Sequence, residues 1–203
     1  MSSDLTGTAP GATPLDLDDI EGLIPDWVST RGELNAVEQD NIIAAQLWAR
    51  RRQWTVPVIA DFQMMRQLHR RMFGDVWRWA GQWRGKDTNI GVDWYAIPTE
   101  MHQLEGDLLA QAGDAGRLAW PAPELLARFH HRLVSIHPFP NGNGRHARFA
   151  TDLLAQAIGA PQPRWGSSSE LAEATETRDR YLAALRDADS SGSFAALISF
   201  IWE

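Results

Sequence analysis

The residue types that could do chemistry are concentrated in one run of the chain, His137-Pro-Phe-Pro-Asn-Gly-Asn-Gly-Arg-His-Ala-Arg148. Two prolines stop whatever helix precedes them, because each fixes its own φ and lacks an N–H. Gly142, Asn143 and Gly144 then make a tight turn with little side-chain bulk, and a helix begins directly after it. Backbone N–H groups at a glycine-rich turn on a helix N-terminus form an anion site, through free donors and the helix dipole together. Arg145 and Arg148 stand three residues apart, so both leave the same side of the first helical turn. Two guanidinium forks beside a ring of amides suit a polyphosphate better than a single carboxylate. His137, at the other side of the loop, is a candidate general base. The residues describe a phosphate cradle with a base at its edge.

Such a loop must be held between two helices, and the flanking sequence supplies them. Residues 123–135 and 144–158 read as helices, the second with Ala147, Ala150, Leu154 and Ile158 as its buried stripe. Residues 1–12 are rich in Ser, Thr, Gly and Pro and are expected to be a disordered tail. Residues 13–54 form an N-terminal segment and helix. Thr30 with Glu33 makes a capping box, and Leu34, Val37, Ala44, Leu47 and Trp48 are spaced for one face. Arg50, Arg51 and Arg52 close that helix, where cations suit the dipole. Residues 55–203 carry the rest: a helix over 58–73 with Phe62, Met65, Leu68, Met72 and Phe73 on one side, then helices over 98–112, 169–187 and 193–202. From Asp87 to Pro98 the β-branched and aromatic residues around Gly91 and Asp93 predict a short hairpin or extended loop.

The run from His137 to Arg148 closely resembles the Fic family motif H-x-F-x-(D/E)-G-N-G-R-x-x-R. Seven of its eight fixed positions match: His137, Phe139, Gly142, Asn143, Gly144, Arg145 and Arg148. At about one in twenty per position, chance gives roughly one match in a billion per start point. Upstream, MFGDVWRWAGQWR is similar to the family's F-x-x-x-Y-x-W-A-G-x-x-R, with Trp77 in the usual Tyr place. Arg178, Tyr181 and Ala184-Leu185 resemble its last helix. The resemblance implies an all-α, Fic-type helical domain with a small β-hairpin flap, which transfers AMP from ATP to a protein hydroxyl. Carried over, His137 deprotonates the target hydroxyl and Phe139 packs the loop into the core. Gly142, Asn143 and Gly144 line the anion hole, Arg145 holds the triphosphate and Arg148 pairs with the γ-phosphate. Tyr181 joins the nucleotide-binding set, and residues 86–97 fall where the family's flap docks the target protein by strand addition.

Asn141 replaces the family's acid, whose carboxylate helps hold Mg²⁺ (Mn²⁺ as the alternative) against the phosphates. An amide oxygen is a poorer ligand for a hard cation, so weaker metal binding or a changed donor or reaction is expected. Many Fic proteins also carry an inhibitory S/T-x-x-x-E-G/N segment. Leu17-Asp-Asp-Ile-Glu21-Gly22 fits it except at Leu17, which makes Glu21 the candidate inhibitory acid. Ser29 to Glu33 has the spacing but no Gly or Asn after it, and the capping box explains that pair. His130, His131, His137 and His146 cluster in sequence, yet without HExxH or cysteine they do not make a zinc pattern. Arg148 and Asp152, four apart, are spaced to pair on one helix.

Composition bounds the alternatives. The chain has 203 residues, 44% hydrophobic and 22% charged, enough to bury a core without staples. A formal charge of -7 argues against a nucleic-acid binder, and zero cysteines exclude disulfides and thiolate sites. The first residues lack the basic and apolar regions of a signal peptide, and no run is long enough for a membrane span, so a cytoplasmic location is expected. Ten tryptophans read as apolar anchors between helices. Three functions stay open: AMP transfer, transfer from another nucleotide, and a degenerate domain that binds nucleotide or a partner without catalysis. Target and oligomeric state are not encoded in these features.

Overall fold

The computed structural model describes residues 17–112, 117–167 and 176–203. The expected tail, 1–12, lies outside them, as does part of the expected 169–187 helix. The described elements are α1 (Leu17–Glu21), α2 (Arg31–Ala49), α3 (Val56–Ala60), α4 (Phe62–Phe73), α5 (Ile97–Ala112), α6 (Ala122–Ile136), α7 (Asn143–Ala157), α8 (Glu176–Ser191) and α9 (Ala195–Trp202). Among the described residues there is no strand, and the fold is all-α.

α6 packs on α7 at the centre, with α5 and α3 on one side, α2 against α4 on another, and α8 paired with α9. Leu125, Leu126, Leu133, Ile136, Ala147, Ala150 and Leu154 form the middle of the main core. A second cluster, with Trp165, Tyr181, Leu197 and Phe200, lies under α8 and α9. Of the tryptophan anchors, Trp54, Trp77 and Trp165 are buried, whereas Trp27, Trp94 and Trp120 are exposed.

The capping box forms as expected: the Glu33 N–H donates to Thr30 Oγ1 at 3.2 Å, and Glu33 Oε2 accepts from the Thr30 and Ser29 N–H groups at 2.9 Å. The face that α2 buries differs from the expected one. It consists of Leu34, Glu38, Asn41, Ile42, Ala45 and Ala49, with Leu47 and Ala44 turned outward. Two polar residues in the buried row account for the difference, because periodicity follows apolar side chains. The helix expected over 58–73 is two helices, broken at Asp61, whose carboxylate accepts from the Gln63 N–H at 2.8 Å and caps α4.

Of the two expectations for the 86–97 segment, hairpin or extended loop, the structure has the loop. It has bends and one 3-10 turn, Trp94–Ala96, in place of a hairpin ladder. Its carbonyls at Lys86 and Val92 accept from the Arg84 guanidinium, which supplies the donors a partner strand would otherwise give.

Candidate functional site

α6 ends and α7 begins within six residues, and the side chains around that connection build the loop. His137 caps α6 in the left-handed region (φ 53°, ψ 59°), which turns the chain sharply before Pro138. Phe139 is fully buried. The Asn143 side chain staples the turn from inside: its Oδ1 accepts from the Phe139 N–H at 2.9 Å, and its Nδ2 donates to the Phe139 carbonyl at 2.8 Å. Gly142 has φ 77°, and a Cβ there would lie 2.7 Å from the Phe73 ring, so this position excludes a side chain on both counts. No side chain caps α7 among the described residues. Its first N–H groups are left to whatever binds at the loop.

Beneath the loop, His69 is wholly buried, stacked on Phe139 with ring centroids 3.8 Å apart. Its Nδ1 accepts from the Gly81 N–H at 3.0 Å, which leaves the proton on Nε2, 3.0 Å from the Asn141 carbonyl. Burial pushes its pKa well below the usual histidine value, consistent with the neutral ring. Asn141 Oδ1 in turn accepts from the Gly142 N–H at 2.7 Å.

A cavity of about 470 Å³ opens above the loop. It is lined by His137, Asn141, Gly142, Asn143, Gly144, Arg145, Arg148 and Tyr181, so the fold brings together every residue expected to face a nucleotide. Its volume lies within the range of small-molecule sites, roughly 300–1,000 Å³. Arg31, Arg178 and Arg186 add three further guanidinium groups to the walls. Val134, Leu182 and Leu185 give one apolar side. A larger groove of about 810 Å³ between α2 and α4 contains none of the loop residues.

His137 is 5% exposed. Burial, and then the nearby Arg84 charge, lower its pKa to about 4, against a weaker opposing effect of a hydrogen bond with the Val134 backbone. Its imidazole is therefore neutral at pH 7 and free of a proton at one nitrogen.

Behind Arg148 runs a chain of hydrogen bonds. The guanidinium lies over the Tyr181 ring, 5.8 Å from the centroid. Tyr181 Oη is 2.8 Å from His130 Nε2. His130 Nδ1 is 3.4 Å from Thr151 Oγ1, whose own proton goes to the Ala147 carbonyl at 2.7 Å. Thr151 thus accepts from Nδ1–H, Nε2 accepts from the phenol, and the phenol oxygen remains an acceptor. Burial holds His130 neutral, with its pKa lowered to about 3. Asp152 does not take the expected ion pair with Arg148; its Oδ1 accepts from the Trp165 indole N–H at 2.9 Å. His131 pairs with Asp189 at 2.8 Å and His146 reaches the Met65 carbonyl at 3.0 Å, so each expected histidine has a partner of its own.

Glu21 stands apart from its sequence expectation, and an acid that the sequence reading did not single out takes the cavity position. Glu21 ends α1 with an exposed side chain, and its carbonyl accepts from Arg78 at 3.2 Å; it does not line the cavity. Glu38 does. Its side chain is 6% exposed, Oε1 accepts from the Trp77 indole N–H at 2.7 Å, and Oε2 lies 2.6 Å from Arg145. A carboxylate thus occupies the first motif arginine. The only signal that marks it in the sequence is its register, four residues after Leu34 and four before Ile42. His69 was likewise not legible as a site residue, and Arg84, the last residue of the upstream W-A-G-x-x-R segment, was legible only as part of the resemblance.

The loop does not by itself fit a divalent metal. Its one candidate ligand is the neutral Asn141 amide oxygen, already hydrogen-bonded, and no group of three or more metal-ligating side chains occurs among the described residues. No helix among them is long and apolar enough to cross a membrane.

Residues 60–155 match the family model described as Fic/DOC family. A probable protein adenylyltransferase of Sinorhizobium fredii is 37% identical over 104 residues, 49% of this chain and 54% of that protein. A uridine 5'-monophosphate transferase of Xanthomonas campestris is 49% identical over 49 residues, 24% of this chain and 9% of its own. The first match thus spans about half of the relative's length, the second far less. The N-terminal Fic domain of a Bartonella quintana VirB-translocated effector, solved with bound ADP, superposes with a TM-score of 0.67 at 19% identity, covering 87% of this chain and 86% of that one. That likeness is one of fold.

Proposed function

We propose that this chain, whose residues 60–155 match the Fic/DOC family model, transfers a nucleoside monophosphate, AMP from ATP foremost, to a hydroxyl of a target protein, and that Glu38 restrains the transfer. The observation that carries this reading is a neutral, buried His137 in the same cavity as the Gly142–Gly144 turn, Arg145 and Arg148. The triphosphate binds the α7 amides and the two arginines. The target hydroxyl attacks the α-phosphorus: a new oxygen–phosphorus bond forms, the bond to the β-phosphate oxygen breaks, and pyrophosphate leaves. His137 takes the hydroxyl proton. A resting pKa of about 4 makes a weak base, but the negative charge of a bound triphosphate raises it toward working pH. We assign the flap role to residues 86–97 and the target to a protein strand or loop docked there. Mg²⁺, if used, is held chiefly by the phosphates, with Asn141 the one loop side chain in reach.

Glu38 is the acid we assign to restraint, in place of Glu21. Its carboxylate holds the guanidinium that a phosphate would take, as an internal phosphate mimic. A second donor is favoured by the Xanthomonas uridine 5'-monophosphate transferase match. One experiment tests both: the protein is incubated with each labelled nucleoside triphosphate and a divalent cation, and self-modification is read by mass spectrometry. A gain of one nucleoside monophosphate that His137→Ala abolishes, with ADP affinity kept, supports the reading. Transfer at the parent rate in His137→Ala would falsify it, and nucleotide binding without any transfer would leave a binding module.

A further inference from the structure

Arg84 lies outside the phosphate cradle, 2% exposed; its guanidinium hydrogen bonds go to backbone carbonyls, and Nη1 also lies 3.7 Å from Asp87 Oδ1. Nε donates to the His137 carbonyl at 2.8 Å. Nη1 donates to Lys86 at 2.9 Å and Nη2 to Val92, the two ends of the 86–92 segment. Its own N–H donates to the Pro138 carbonyl at 2.9 Å. Val92 adds a bond from its N–H to the Ile136 carbonyl at 3.4 Å. Next to the last residue of the segment, Gly91 has φ 107°, and a Cβ there would sit 2.7 Å from His137 Cβ and 2.8 Å from Arg84 Nη2. The segment is therefore in contact with the base's own backbone.

His137 is a non-glycine residue in the left-handed region, a conformation that persists only where surroundings over-determine it. The donor from Arg84 to the His137 carbonyl is one such constraint, and the same planar group fixes both ends of 86–92. We infer that Arg84 is a positioning residue that locks the 86–92 segment and the His137 backbone into one unit, so that a target docked on the segment sets the base's position. This rests on His137 being the base. A lysine cannot replace the fork, because a single ammonium does not hold three carbonyls in one plane.

The test uses the full chain with Arg84→Ala, Arg84→Lys and His137→Ala side by side. Amide hydrogen exchange is read over 86–92 and over 136–139, then turnover and the ADP Kd, with and without guanidinium ion. In Arg84→Ala, exchange is expected to rise in both segments together. Turnover should fall about ten- to a hundredfold, as misplacing a catalytic group by about 1 Å does. The ADP Kd should stay within about threefold, guanidinium should return part of the rate, and Arg84→Lys should lie between. Faster exchange in 86–92 alone with turnover unchanged would overturn the coupling. So would turnover and ADP affinity falling in step with no response to guanidinium. If Arg84→Ala does not fold, Arg84→Lys decides: slower turnover at unchanged ADP affinity supports the coupling, and parent behaviour overturns it. Transfer that survives in His137→Ala removes the base assignment, while the exchange pattern still decides whether the two segments move as one.

Discussion

Replacing Glu38 by glutamine isolates the restraint from the fold. Glutamine keeps an oxygen for the Trp77 indole N–H, now 2.7 Å from Oε1, so no buried donor is orphaned. Its amide presents hydrogen atoms to Arg145 where the carboxylate presented Oε2 at 2.6 Å, and two donors cannot bond. A hydrogen bond to a charged group contributes about 1.5–3 kcal/mol, and each 1.4 kcal/mol is tenfold. The Arg145 side chain is 26% exposed and Glu38 6%, so solvent screens this pair only in part. A phosphate that no longer has to displace Glu38 should bind about ten- to a hundredfold more tightly. Arg145 is part-exposed, faces the cavity and can hydrate, so the loss of stability should stay below the roughly 3–5 kcal/mol of a fully buried pair.

The assay is calorimetric titration of Glu38→Gln with a non-hydrolysable ATP analogue, beside single-turnover transfer from labelled ATP. A double-mutant cycle with Arg145→Met completes it. Tighter binding and faster transfer are expected in Glu38→Gln, and no gain is expected once Arg145 is absent. Glu21→Gln, whose side chain lies outside the cavity, should match the parent. Equal affinity in parent and Glu38→Gln, or an equal gain in the Arg145→Met background, would refute the reasoning. Either result would leave Glu38 as a packing contact of α2.

Three further outcomes follow from the geometry. With the His137 pKa at about 4, kcat/KM should hold through pH 6.5 and fall only toward pH 4, measured where circular dichroism shows the chain folded; a midpoint near 6.5 would contradict the buried ring. His130, His137 and His146 are all depressed, to about 3, about 4 and about 4, so at each of them the unfolded chain binds more protons and about 3 kcal/mol per histidine is lost between pH 6.5 and about pH 4; Asp152, raised to about 7 by burial, works the other way over the same window and offsets about one histidine's share, and urea titrations should follow the net fall. Asn141→Asp retains the acceptor for the Gly142 N–H and adds charge, so Mg²⁺ should bind more tightly in the presence of ADP, and an unchanged calorimetric Kd would remove Asn141 from the metal's surroundings. Gly142→Ala places a methyl against Phe73 at φ 77° and should cost about 1–3 kcal/mol of stability by urea denaturation, with a parent-like midpoint arguing that the turn can relax.

α2 shows where sequence reading stops. Its start is legible, because Thr30 and Glu33 satisfy the first N–H groups by a local rule. Its buried face is not, because Glu38 and Asn41 occupy buried positions and carry no hydrophobic signal. Leu47 and Trp48 pull the apparent stripe outward by about one residue. The site acid is hidden for the same physical reason that it acts: a charge is tolerated inside only when Trp77 and Arg145 meet it there. The break at Asp61 is missed in a similar way, since the apolar spacing runs straight across it. The loop from His137 to Gly144 was legible because backbone needs, a stop, a turn without side chains and a helix start, each demand particular residue types.

The same contrast applies to what holds the loop. The residues that face the cavity are ones whose type the ligand's chemistry dictates, so a motif finds them. The residues that fix those groups in space act on backbone carbonyls: His69 on Asn141, Arg84 on His137, Asn143 on Phe139. A carbonyl is the same in every residue, so nothing at its own position in the sequence reports that it is held. What reports it is the other partner, a polar side chain buried to a few per cent or less, which must find a partner inside. His69, Arg84 and Glu38 meet that condition, and the chain converts each of their hydrogen bonds into the position of a base, a turn or an arginine. Buried polar side chains outside the motif are therefore where changes at a distance should reach the site, through geometry rather than through contact with nucleotide.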